Sequence, residues 1–341
     1  MSSARFALAA LLAAGLTAQA QTAAPRRIAY LGIGPSESSR VCVDEVRAGL
    51  QAAGWSVGDQ VVLEWNDAGH DPARLAPLAR AIVASRPDVL IATDNVPTAA
   101  LMSATRELPI VVLGATNLQH AVDAQLRPVT NVTGVSLGVN GRYAVKIMEV
   151  LLQAFPATRR IGLMENNDHP GHDDGGPLPA IAALVRQAGA ELVRARFSGE
   201  AGVAAAWDEL ARRQVDAVMI RPDGGPFLGA HARQAQRVGL PAIAHNAWFV
   251  RRYGGLLSYG VAGHANILCK SGARYVDQVL RGRPLAQLPV QELYEARLVV
   301  NLDAAQRLGV TLPPMLIVRA SELILPGEPT QPPPAGTKAN P

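Results

Sequence analysis

Short apolar runs alternate with amphipathic stretches along almost the whole chain, and this alternation constrains the fold more than any other feature. Strand-like runs are Arg27–Ile33, Val61–Trp65, Asp88–Ala92, Ile110–Leu113, Arg160–Met164, Glu191–Ala195, Asp216–Ile220 and Pro241–Ala244. Between them, at about 37–53, 71–86, 96–106, 140–155, 178–189, 200–213 and 227–238, apolar residues recur at three- and four-residue spacing, as in Val43, Val46 and Leu50. Strands alternating with helices read as βαβ units. Near-continuous apolar strands read as sheets covered on both faces. The first four units match the next four in length, which predicts two similar doubly wound α/β lobes. A closed eight-unit barrel meets the count but leaves the strand, helix and tail after residue 255 poorly placed.

The two ends of the chain read differently from the middle. Arg5, the apolar stretch Phe6–Leu16 and the small residues of Ala18-Gln19-Ala20 form a secretory signal peptide over residues 1–20. The apolar run falls short of the roughly 20 residues that span a bilayer. Ala20 and Gln21 stand where a lipoprotein would need a cysteine. An exported protein is expected, periplasmic in a Gram-negative cell and not a lipoprotein. At the other end, the proline-rich residues 326–341 carry too little apolar mass to offset the entropy of ordering and are expected to be disordered. The net charge of +4 comes from dispersed arginines, with no basic run that would track a nucleic-acid backbone, so no nucleic-acid partner is expected.

Several segments resemble one known family in order and spacing. They are Arg27-Ile-Ala-Tyr-Leu-Gly followed by Pro35-Ser-Glu-Ser-Ser, Arg-Pro-Asp-Val-Leu-Ile-Ala at 86–92, Leu-Pro-Ile-Val at 108–111 and Asn131-Val-Thr-Gly-Val-Ser. Tyr253-Gly-Gly-Leu-Leu-Ser-Tyr-Gly260, Leu298-Val-Val-Asn-Leu302 and Leu308-Gly-Val-Thr-Leu-Pro-Pro314 continue the likeness. The chain is similar, over about residues 27–325, to the periplasmic substrate-binding proteins of ABC transporters that include the tryptophan-binding TrpX group. The resemblance implies a type I periplasmic binding protein fold, a Venus-flytrap of two lobes joined by three crossings. It implies a non-enzymatic, monomeric receptor with no cofactor, a small-molecule ligand and ABC permease subunits as partners. Lobe 1 would be 26–134 plus 259–286, and lobe 2 138–256 plus 290–325. The crossings would fall at Thr133–Gly138, where Gly134 and Gly138 supply freedom, at Leu257–Gly260, and near Pro289.

Other motifs suggest different chemistry. Gly134-Val-Ser136-Leu-Gly138 matches the G-x-S-x-G elbow of a serine hydrolase, the enzyme alternative, although the preceding Asn131-Val-Thr is partly polar. A ligand sensor without a transport role is the other alternative. Gly32-Ile-Gly34 opens a dinucleotide fingerprint, but Glu37 replaces its third glycine and Pro35 removes an amide. His169-Pro-Gly-His172-Asp-Asp174 has metal-ligand residue types without the helical spacing that would aim them together, so no metal is expected.

Ligands of open α/β sheets bind outside the carboxyl ends of the strands, which nominates the residues that follow them. In the first lobe these are Ser36, Glu37 and Ser38, then Thr93, Asp94 and Asn95, then Thr116. In the second they are Glu165 and Asn166, Asp223, and Asn246 with Trp248. Hydroxyls and helix-start amides suit a carboxylate. Asp94, Glu165 or Asp223 would meet an ammonium group, and Trp248 and Tyr259 could stack on a side chain. An amino acid or related small carboxylate fits these types best. Within the lobes implied by the resemblance, Cys42 lies on the first helix and Cys269 on the helix that re-enters lobe 1. In a flavodoxin-like strand order those helices pack side by side, so the pair is either an export-compatible disulfide or two small core residues.

Overall fold

The computed structural model describes residues 24–34, 37–116, 118–138, 142–168, 177–222, 227–261, 264–293 and 296–328. The expected signal peptide and most of the proline-rich tail therefore lie outside the described residues. The first half runs β1 (Arg26–Gly32), α1 (Glu37–Ala52), β2 (Val61–Asp67), α2 (Leu75–Ala84), β3 (Val89–Thr93), α3 (Asn95–Ala104), β4 (Ile110–Ala115) and β5 (Val132–Ser136). There follow α4 (Arg142–Ala154), β6 (Arg160–Asn166), α5 (Leu178–Gln187), β7 (Glu191–Phe197), α6 (Gly199–Arg212), β8 (Ala217–Ile220), α7 (Leu228–Val238), β9 (Ala242–Ala244), α8 (Trp248–Arg251) and β10 (Leu257–Val261). The chain closes with α9 (His264–Leu280), β11 (Gln291–Glu292), β12 (Ala296–Asn301), α10 (Leu302–Leu308), α11 (Pro314–Val318) and β13 (Glu322–Ile324).

These strands form two sheets rather than a barrel. One has the order β2-β1-β3-β4-β5-β11, the other β7-β6-β8-β9-β10-β12-β13. The five leading strands of each follow the same flavodoxin-like winding, all parallel. A local device repeats with it. The Asp88 carboxylate accepts from the Arg27 amide at the start of β1, and the Asp216 carboxylate accepts from the Arg160 amide at the start of β6. Each aspartate precedes the third strand of its sheet and ties it to the first. β12 runs antiparallel to β10 and carries β13 at the edge.

Alternation along β1 sends Ile28 and Tyr30 to one face, with Val46 and Val276, and Ala29 and Leu31 to the other, with Ala79 and Leu101. The second sheet is likewise packed on both faces, against α4 and α5 on one side and α6 and α7 on the other. Among the described residues no helix is long and apolar enough to cross a membrane.

Three strand memberships differ from the sequence reading. Val132–Ser136 is a full strand of the first sheet, so the chain leaves that sheet after residue 136. Gly134 belongs inside it: φ is 125° and a Cβ would lie 2.3 Å from the Val112 carbonyl oxygen, so the glycine permits close approach to β4. Gly138, with φ 117° and open space around it, is the glycine on the way out. Tyr259 and Gly260, assigned by sequence to the first lobe, lie on β10 of the second sheet. Gln291–Glu292, assigned to the second, pair with β5 in the first. The last passage therefore follows Glu292 rather than Pro289, whose carbonyl accepts from the Tyr275 hydroxyl on α9.

α9 brings a distant stretch of chain back onto the first sheet beside α1. Cys42 and Cys269 are joined in a disulfide, with Cα atoms 5.1 Å apart. Gly49 faces Ala273 so closely that an added Cβ would sit 2.4 Å from the alanine methyl. At the far end the Trp55 indole donates to Asp277 at 2.8 Å, and Arg281 lies over the Trp55 ring. The disulfide closes a loop with a sequence separation of 227. Chain-entropy arithmetic for such a loop gives about 5 kcal/mol of stabilisation. We expect the Cys42→Ser, Cys269→Ser double variant to unfold at lower urea concentration and with a steeper slope, because its unfolded chain is no longer cross-linked. A midpoint equal to that of the oxidised wild type would show that the bond does not stabilise the fold.

Candidate functional site

Parallel winding places the carboxyl ends of β1 to β5 along one edge of the first sheet and those of β6 to β10 along one edge of the second. His70, just after β2, touches Phe227, just before α7, with ring centroids 6.4 Å apart. The two edges therefore approach each other at this contact.

On the first side, the turn after β3 is held under strain. Asp94 has φ 73° and ψ 171°, a region usually left to glycine. Its side chain accepts from the Asn95 amide at 2.5 Å, and its carbonyl accepts from the Thr98 hydroxyl at 2.5 Å. The Asn95 side chain accepts from the Thr116 amide at 2.7 Å and donates to the Thr116 hydroxyl at 3.0 Å. Asn95 thus ties the β3 turn to the β4 turn, a positioning task that the sequence reading, which took it as a ligand contact, did not foresee. Thr93 shares a hydrogen bond with the Tyr30 hydroxyl at 3.1 Å. Tyr30 stacks on Trp65, centroids 4.4 Å apart, and the Trp65 indole donates to Asp67 at 2.6 Å. Sequence reasoning missed this layer because β2 ends in residues that read as an ordinary exposed strand end.

On the second side Glu165 is buried at the end of β6. The Arg194 guanidinium reaches its carboxylate at 2.6 Å and 3.1 Å, Arg221 at 2.7 Å, and Arg196 lies 3.7 Å away. Glu165, one of three carboxylates that the sequence offered to a ligand ammonium, has its charge matched by guanidinium groups. Register explains it: Glu165 pairs with Arg196 and Leu163 with Arg194, so Arg194, Arg196 and Glu165 share a face. The alternation of Arg194 and Arg196 with apolar Val193, Ala195 and Phe197 is the signal that could have revealed it. Asn166 accepts from the Asp168 amide at 3.0 Å, and Asp168 accepts from the Gly199 amide at 2.6 Å, linking the β6 and β7 ends.

Asn246 accepts from the Trp248 amide at 2.9 Å and so fixes the turn that leads into the short α8. Arg252 lies over the Trp248 ring, 5.8 Å from its centre. Tyr259 is half-buried against the core beneath α4 rather than exposed for stacking. Ser36, Asp223 and the His169–Asp174 motif lie outside the described residues, as do the side chains of Glu37 and Ser38. Among the described residues no group of three His, Cys, Asp or Glu side chains could hold a metal.

Ser136 is not presented as a nucleophile. It is fully buried at the end of β5, donates to the Ala115 carbonyl at 2.6 Å and accepts from the Gly138 amide at 3.0 Å. An elbow serine projects above its sheet, whereas this hydroxyl closes the β4–β5 end of one.

The family model for ABC transporter substrate binding protein matches residues 34–324. The chain belongs to that family. A tyrosine-binding protein of Clostridioides difficile is 22% identical over 267 residues, covering 76% of this chain and 74% of the relative. Among solved structures, a conserved domain protein from Vibrio cholerae aligns with TM-score 0.76 and 24% identity, over 87% of this chain and 99% of the other. An ABC domain from Streptococcus pneumoniae in complex with L-Trp aligns with TM-score 0.75 and 22% identity, over 88% and 100%. These neighbours share the two-lobed fold of substrate-binding proteins.

Two outcomes follow from the site chemistry. Glu165→Gln should destabilise the unliganded protein by about 3 kcal/mol in urea unfolding, because it removes the carboxylate charge that faces the buried Arg221 guanidinium. A ligand-only carboxylate would leave that stability unchanged. Burial pushes the Tyr30 hydroxyl up to about 12, helped by Asp67 and Asp94 and opposed by the hydrogen bonds with Thr93 and Ser39. The folded state thus favours neutral tyrosine. Stability is full below pH 10 and falls by about 3 kcal/mol as pH rises through about 12. Tyr30→Phe should flatten that decline in unfolding measured between pH 9 and 12.

Proposed function

We propose that this substrate-binding protein is the extracytoplasmic receptor of an ABC importer, closing over an amino acid, with an aromatic side chain the favoured class. The observation that carries this reading is the approach of two carboxyl-end strand edges, at His70 and Phe227, in a chain of this family. The receptor needs no catalysis, because the transporter supplies the energy and the receptor contributes different affinities in its open and closed states. Export by the leader at residues 1–20 would place it in the periplasm, as a monomer that hands its ligand to permease subunits.

The ligand class is supported by the relatives named for tyrosine and L-Trp and by the residue types at the cleft. The Thr93 and Thr116 hydroxyls suit a carboxylate. With Glu165 engaged by arginines, Asp94 is the acidic residue of the β3 turn proposed to meet the ammonium group. Its strained backbone is the kind of feature that persists where binding geometry is pre-set. Trp248 at the opposite edge offers an aromatic face to the side chain.

A ligand bound only by the folded state raises its stability by RT ln(1 + [L]/Kd), about 2.7 kcal/mol at a hundredfold excess over Kd. In a thermal-shift screen, L-tyrosine and L-tryptophan should raise Tm the most, while their D-enantiomers and sugars leave it unchanged. Asp94→Asn keeps the helix cap and tolerates positive φ, and it should abolish the shift. A shift given only by sugars or nucleosides would remove the amino-acid assignment.

A further inference from the structure

The two lobes touch at a point far from the chain passages that join them. In the first sheet those passages leave from β5 and β11, at one side, while β2 lies at the opposite edge. In the second they involve β10 and β12, with β8, β6 and β7 beyond. His70 follows β2 and Phe227 follows β8, so their contact sits on the long arm of the hinge. With neighbouring strands about 4.8 Å apart, β2 lies roughly 19 Å from β5. Opening by about 20° would separate the rings by roughly 7 Å, well beyond contact.

Both partners are held from behind. The His70 amide donates to the Ile33 carbonyl at 2.9 Å, and its residue sits at φ 62°. Its ring presses so closely on Gly34 that an added Cβ there would come within 2.7 Å of it. On the other side Phe227 meets Phe197 edge-on at 5.9 Å, Phe197 meets His231 edge-on at 5.0 Å, and the Trp207 indole donates to His231 Nδ1 at 3.0 Å. Trp207 and His231 are wholly buried. An aromatic column thus runs from the interlobe contact into the core of the second lobe, in a chain with only 4% aromatic residues.

We propose that His70 and Phe227 form a latch that sets ligand affinity by holding the lobes closed without touching the ligand. The inference rests on the lobe-closing receptor reading above. A contact made only in the closed state adds its whole free energy to that state, and apparent affinity scales with the fraction of closed molecules. An aromatic pair of this kind corresponds to about a 2- to 12-fold change.

The test compares wild type with His70→Ala, Phe227→Ala and the double variant. L-tyrosine and L-tryptophan serve as probes in calorimetry and stopped-flow, and small-angle scattering is recorded without any probe. Each single variant should bind about 2- to 12-fold more weakly, through faster dissociation. The double variant should be no weaker than the weaker single, because both substitutions break one contact. The unliganded radius of gyration should rise in all three. His70→Ala keeps the test valid if Phe227→Ala perturbs packing around Phe197. Unchanged affinity and radius, or losses that simply add, would overturn the latch. If neither amino acid binds the wild type, the ligand assignment fails, and the scattering result alone then decides: a larger radius in His70→Ala supports the latch and an unchanged radius refutes it.

Discussion

The first lobe is assembled from two stretches of chain with most of the second lobe between them, and the packing of α1 on α9 makes them one body. Everything that the molecule does between its lobes depends on that attachment, because two of the three chain passages, those before α9 and after β11, are anchored through it. The contact is built from independent parts. A disulfide lies near the start of α9, a glycine lets the helices approach at mid-length, and an indole, a carboxylate and a guanidinium engage at the far end. The covalent bond constrains the unfolded chain, while the apolar and polar contacts stabilise the folded one.

On this frame the repeated winding of the two sheets determines where binding chemistry can appear. Parallel strands of one winding deliver their carboxyl ends to one edge, and each edge turns polar where the strands finish. The two edges differ in character. The first carries hydroxyls, a strained aspartate and a tie between two turns through Asn95. The second carries a carboxylate enclosed by guanidinium groups, together with an aromatic column. Charge at that second edge is expensive to bury unless it is matched, which is why Glu165, standing where a ligand contact would be sought, faces guanidinium groups.

Much of the architecture was legible in the linear sequence. Apolar runs such as Asp88–Ala92 and Asp216–Ile220 identified central strands because buried parallel strands must be apolar on both faces. The periodicity of Val43, Val46 and Leu50 identified α1 because one stripe of a helix faces the core. β5 was read as a passage because the family resemblance implied a crossing at Thr133–Gly138, and only its pairing with β4 and β11 shows it to be a strand. The thiols of Cys42 and Cys269 were placed on neighbouring helices by family resemblance, and the bond between them is a fact of the folded geometry.

What the sequence by itself determined is the set of elements, their period and the polar residues at the strand ends, since these follow from local pattern and burial. Only the tertiary structure decided which partners those polar residues hold within the protein. Asn95, Asn246, Glu165 and Ser136 have the same composition and local setting as binding residues. Each is committed to a partner distant in the chain or to a turn whose shape the chain order does not reveal. The physical reason is that a hydrogen bond or ion pair is satisfied by whatever group packing brings within about 3 Å, and sequence spacing does not record that distance.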